Sequence, residues 1–258
     1  MADSHAAVGD ELEPYRRPAY YALRPGGWRD LITILHPPYT AWHLSYVVFG
    51  AVAAQHLYLN RFVATLAAFL LAVGIAAHAF DEVHSRPLQT TLSNRSLYSL
   101  AAASLAGALA IGIVGVVTVT ATLLPFVVVG GFLVLAYNLE LWGGRFHNGF
   151  WFAAAWGAFP ALTSWWINTT SIHGARELLA GGGVALGCFA MSVVQRRLSF
   201  PLRELRRRTV SVTGEQQLAD GATVALSIPL LIHPLEGALK ATSCALAALA
   251  IGLVALRL

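Results

Sequence analysis

Runs of about twenty apolar residues, repeated along almost the whole chain, constrain this sequence more than any other feature. A hydrocarbon layer is about 30 Å thick and is crossed by a helix of about twenty residues. Runs of that order fall at 41–59, 62–80, 97–117, 119–138, 149–168, 177–195, 218–233 and 239–256. Backbone polar groups in lipid must be satisfied within the segment, so such runs become helices. The expected fold is all-α: a polytopic membrane bundle of about eight transmembrane helices around a central cavity. Residues 1–35 read as an N-terminal segment at the membrane surface, and 36–258 as a single transmembrane domain. The seventh run is the weakest, because Asp220 opens it and Pro229 interrupts it.

Composition agrees. Only 12% of the 258 residues are charged, where soluble domains carry about 25%. The two cysteines, Cys188 and Cys244, sit in apolar runs without the spacing of a disulfide framework or a metal site. The net charge of +4 is no sign of nucleic-acid binding, because the arginines flank the apolar runs rather than one soluble face. Nothing at the start of the sequence reads as a cleavable signal peptide. Fourteen of the 17 Lys and Arg fall in residues 1–40, 81–96, 139–148, 196–217 or the C-terminal tail, against Arg61, Arg176 and Lys240 on the other side. Cytoplasmic loops are the ones enriched in Lys and Arg. With an even number of spans, both termini are expected in the cytoplasm. The arginine-heavy composition suggests a high-GC genome and hence a bacterial inner membrane.

Ionisable residues at the ends of spanning helices cost free energy unless they face a wet interior. The densest group is His78, Asp81, Glu82, His84 and Arg86, at the end of the second run. Spacing of i, i+3 and i+4 places His78, Asp81 and Glu82 on one helical face, pointing together into a polar cavity. Carboxylates there suit Mg²⁺, and the histidines also suit Fe²⁺, Mn²⁺ or Zn²⁺. The bland alternative is a wet helix end. A second group, Tyr137, Asn138, Glu140, Arg145 and His147, surrounds the Gly143-Gly144 turn, and Glu140 is expected to approach the first group. A third, His36-Pro37-Pro38-Tyr39 followed by His43, opens the first run; His43 reads equally well as a core histidine. Arg196, Arg197, Arg203, Arg206, Arg207 and Arg208 crowd one loop. Topology alone asks for arginine there, but the guanidinium fork also fits a diphosphate.

These residues resemble the UbiA superfamily of intramembrane prenyltransferases. The likeness runs from about residue 30 to the end. It is carried by His36 to Gly50, by His78 to Leu88 with its Arg86-Pro87-Leu88, and by Tyr137 to Trp165 with Gly157 and Pro160. The resemblance implies a helical bundle open sideways to lipid, in which two aspartate-rich loops hold Mg²⁺ and the metal binds a prenyl diphosphate. It also implies that diphosphate departure leaves an allylic cation for an acceptor to capture. The first motif departs from the family pattern, with His78 near the family's Asn and Asp81-Glu82 in place of spaced aspartates. The second is replaced by a loop with one acid, Glu204, and six arginines.

The leading expectation is an enzyme acting on a polyprenyl diphosphate or related membrane lipid, by transfer or cyclisation. Asp81, Glu82 and Glu140 would be catalytic, with Mg²⁺ as the first-choice cofactor. Arg86, Arg145, Arg203, Arg206, Arg207, Tyr137 and Asn138 would hold the substrate. A second expectation keeps the fold but makes His43, His78, Asp81, Glu82, His84, Glu140 and His147 an iron or manganese site for membrane oxidoreductase chemistry. A third is a non-catalytic lipid-binding relative.

Overall fold

The computed structural model describes residues 17–258; residues 1–16 of the expected N-terminal surface segment lie outside them. The chain is an all-α membrane protein. Five helices are long and apolar enough to cross a bilayer: Leu59–Ser85 (α3), Asn94–Thr118 (α4), Ala121–Asn138 (α5), Ala175–Arg207 (α7) and Ile228–Ala255 (α8). Two more pack among them: Pro37–Ala53 (α2), and α6, which runs through Gly149–Ala153, Ala154–Ala158 and Phe159–Thr169. A short helix, Trp28–Ile34 (α1), precedes the bundle.

The helix ends follow local chemistry. Ser93, Thr120, Asn148 and Ser227 each accept a hydrogen bond from a backbone N–H in the first turn that follows, satisfying donors a helix start leaves free. Pro37 and Pro38 occupy the first turn of α2, where a missing N–H costs nothing. Packing relies on small residues. A Cβ on Gly50 would collide with the Ala161 carbonyl, and one on Gly181 with the Trp165 ring, so α2 meets α6 at backbone distance and the Trp165 ring of α6 lies on the backbone of α7.

One of the eight expected runs takes another form. Residues 218–233 are not a membrane run. Glu215–Gln217 (β1) pairs antiparallel with Thr223–Ala225 (β2) in an exposed hairpin. Pro229 lies in the first turn of α8 rather than interrupting a span, so the last two apolar runs share one helix. The two ends of the described chain consequently separate. The Arg17 and Pro18 carbonyls accept hydrogen bonds from Arg206 and Arg207, at the His36 end of α2. The Arg257 guanidinium donates to the Ala54 and Gln55 carbonyls, where α2 ends.

From Arg17 onward the described part of the N-terminal segment packs on the bundle. In α1, Trp28 and Leu31 are exposed while Asp30 is buried, an arrangement suited to a membrane surface. Asp30 accepts hydrogen bonds from the Gly26 N–H at 2.9 Å, the Thr91 N–H at 2.9 Å and the Thr91 hydroxyl at 2.6 Å. Burial raises its pKa, but these bonds outweigh burial and hold the carboxyl below the usual range.

Candidate functional site

At the arginine-rich end of the bundle, α2, α3, α5, α6, α7 and residues 18–21 enclose a polar cavity of about 100 Å³. Two helices reach it through widened π-helical turns, Leu70–Ala77 in α3 and Ala154–Ala158 in α6. Such turns leave carbonyls free for side chains. The Gly74 carbonyl accepts from His78 Nδ1 at 3.2 Å, and the Trp156 carbonyl from His43 Nδ1 at 2.8 Å. His147 Nδ1 donates to the Tyr137 carbonyl at 3.0 Å. With Nδ1 donating in each case, Nε2 carries the lone pair whenever the ring is neutral.

His78 and Asp81 border this cavity as expected, but Glu82 does not. Its side chain is fully buried and turned into the following loop, accepting from the Leu88 N–H at 2.9 Å, the Thr90 N–H at 2.8 Å and the Thr90 hydroxyl at 2.9 Å. Successive helical residues point about 100° apart, so Asp81 and Glu82 leave the helix on different flanks. Arg86 is likewise structural: it ends α3 in a left-handed conformation and donates to the Thr90 and Leu92 carbonyls and to Asn94. Neither residue is free to hold a metal or a diphosphate.

The second group divides. Tyr137, Asn138 and His147 border the cavity. The Tyr137 hydroxyl accepts from Arg196 at 3.1 Å, and the Asn138 amide donates to the Val134 carbonyl at 2.7 Å. Glu140 sits outside, its oxygens 3.7 Å from His84 and 3.9 Å from His147. Arg145 is exposed and does not border the cavity. The expected seven-residue metal set is therefore dispersed. Glu82 is enclosed by its loop, and His84 and Glu140 lie outside the cavity. Among the described residues no three His, Cys, Asp or Glu side chains gather as a group that could hold a metal ion. Asp81 is the one carboxylate bordering the cavity among those residues. The donor set fits neither the Mg²⁺ site nor the iron or manganese site.

Arginines dominate instead. Arg196, Arg203, Arg206 and Arg207 all border the cavity. Arg206 forms a buried ion pair with Glu236 and donates to the Arg17 carbonyl, which makes it a strut. Arg207 donates through Nε to the Pro18 carbonyl at 3.1 Å. For Arg203 there is no hydrogen bond or ion pair among the described residues.

Sequence reasoning left His36 out of the site. It is 8% exposed, and its ring stacks on His78 with centroids 4.0 Å apart. Nδ1 lies 2.6 Å from the Tyr21 hydroxyl, while Nε2 is buried without a partner. Burial holds the His36 ring well below the ordinary imidazole range and pushes the Tyr21 hydroxyl well above its own. The ring is therefore neutral and the phenol protonated. The signal in the sequence was His36 ahead of two prolines. The aromatic lid of Tyr20 and Tyr21 carried none, being separated from the site by a helix and a turn.

A second cavity of about 560 Å³ lies among α3, α4, α5 and α6, walled by apolar side chains such as Phe69, Leu105, Leu133 and Phe159. Trp156 borders both cavities. Comparison of the chain with protein-family models, curated proteins and solved structures finds no match.

Proposed function

We propose that this protein is an intramembrane enzyme that takes a polyprenyl diphosphate, or a closely similar anionic isoprenoid lipid, and catalyses its transfer or cyclisation. The observation that carries this reading is the shared Trp156 wall, with a cation-rich polar cavity on one side and a large apolar cavity on the other. A diphosphate head suits the first and an isoprenoid tail the second. Arg203 and Arg207 would balance charge growing on the departing diphosphate. As the allylic C–O bond breaks, its electron pair leaves with the diphosphate. The Trp156, Tyr137 and Phe152 rings border the place where the allylic cation would form, and aromatic faces attract cations. The arginine-rich end would face the cytoplasm.

One observation favours a non-catalytic lipid carrier as the second reading: a single carboxylate is a sparse acid–base set. Both readings are tested with purified protein in lipid nanodiscs and labelled geranylgeranyl diphosphate. The expected result is saturable binding followed by diphosphate release once membrane lipid extract supplies an acceptor. Binding without release selects the carrier, and no binding to any prenyl diphosphate overturns both.

A further inference from the structure

We infer that the polar cavity holds the diphosphate headgroup without a divalent metal, through Arg203, Arg207 and the Nε2–H of His36. The inference rests on the prenyl-diphosphate reading and adds how the head is bound. A metal-bridged diphosphate needs carboxylates on the protein side of the ion. Glu82 gives both its oxygens to the Leu88–Thr90 backbone and the Thr90 hydroxyl, and Glu140 is outside the cavity beside His84 and His147. Only Asp81 remains, in a cavity that also contains Arg196, Arg203 and Arg207. A divalent ion placed there would add positive charge beside three guanidinium groups, whereas an anion finds a net positive site already built.

His36 supplies an independent observation. A polar atom buried without a partner carries an uncompensated desolvation penalty, and Nε2 of His36 is such an atom in a ring 8% exposed that borders the cavity. The residue also holds a left-handed backbone, φ 45°, a conformation that persists where the surroundings enforce it. Here the His36 carbonyl accepts from the Tyr39 N–H at 2.8 Å and the Thr40 N–H at 2.9 Å, which anchors it to the first turn of α2. When the Tyr21 hydroxyl donates to Nδ1, the ring proton sits on Nε2 as a donor, and a phosphate oxygen is a strong acceptor for it. From α3, His78 stacks on the same ring through a contact that asks for no proton. Arg203 and Arg207 approach from α7 and make the surroundings of Nε2 electropositive.

The test measures affinity of the full chain in nanodiscs for inorganic diphosphate and for the unreactive geranylgeranyl S-thiolodiphosphate, each with chelator and with millimolar Mg²⁺. The expected result is equal affinity with and without metal, with the lipid analogue binding more tightly than inorganic diphosphate. Arg203→Gln should weaken both ligands by about tenfold to a hundredfold, and His36→Leu by about tenfold, as for loss of one hydrogen bond to a charged group. His36→Gln, which keeps an N–H donor, should retain most of the affinity. Binding that collapses in chelator and returns with Mg²⁺ overturns the inference and leaves the lipid reading standing; this arm needs no variant. Failure of both ligands to bind under either condition overturns both. Equal affinity for the two ligands without metal supports the anion site and removes the tail from the reading.

Discussion

At the end of α3 the helix sends Asp81 toward the polar cavity and Glu82 into the Leu88–Thr90 loop. Their neighbouring positions therefore predict opposite mutant behaviour. Glu82→Gln replaces one acceptor oxygen by an NH₂ facing N–H and O–H donors. At about 1.5–3 kcal/mol for a hydrogen bond to a charged group, the chain should lose on the order of 3 kcal/mol. Thermal unfolding in detergent checks this, and an unchanged midpoint would refute the structural role. Asp81→Asn should leave stability nearly unchanged and tighten diphosphate binding, because it removes the negative charge nearest the head. A metal-bridged site predicts the reverse, so the sign of the affinity change decides between them. The sequence located the right helix end but merged its two flanks into one face. Spacing of i, i+3 and i+4 defines a stripe, and which edge of it meets the cavity depends on the loop that encloses Glu82, itself tied through Thr91 to Asp30, 61 residues away. That tie, with Tyr21 on His36, joins segments separated in the chain and leaves no local pattern.

Secondary elements were more legible, because hydrocarbon allows only satisfied backbone and the apolar runs mark it directly. Six of the eight runs coincide with α2 to α7. The failure came at Pro229, where proline reads equally as a break inside a helix or as the first turn of one; the Ser227 cap, accepting from Leu230, marks the second case. Several glycines inside the spans are the contact surface itself. Gly50→Leu should force α2 off the Ala161 backbone and abolish the monodisperse peak in size-exclusion chromatography. Gly187→Leu, at a position with nothing within 4 Å, should leave it intact. Equal behaviour of the two variants would mean that the α2–α6 contact does not govern assembly.

At the scale of the whole molecule, three arginines mark the two ends of the described bundle. Arg206 and Arg207 grip the Arg17 and Pro18 carbonyls at the polar-cavity end, and Arg257 grips Ala54 and Gln55 at the opposite end. The described chain therefore begins and ends at opposite ends of the bundle. Among the described arginines only Arg61, Arg176 and Arg257 lie away from the cavity end, and the proposed cytoplasmic orientation of that end rests on this asymmetry. It carries less weight for the C-terminus, where one arginine is held by two carbonyls instead of standing in a basic loop. Cysteine labelling on a background lacking Cys188 and Cys244 tests the geometry. Probes at Ser211, ahead of the hairpin, and at Leu258 should react from opposite sides of sealed vesicles, with Ser211 accessible from the cytoplasm. Labelling of both from the same side would require α8 to turn back within its length, at Pro234, breaking the hold of Arg257 on α2.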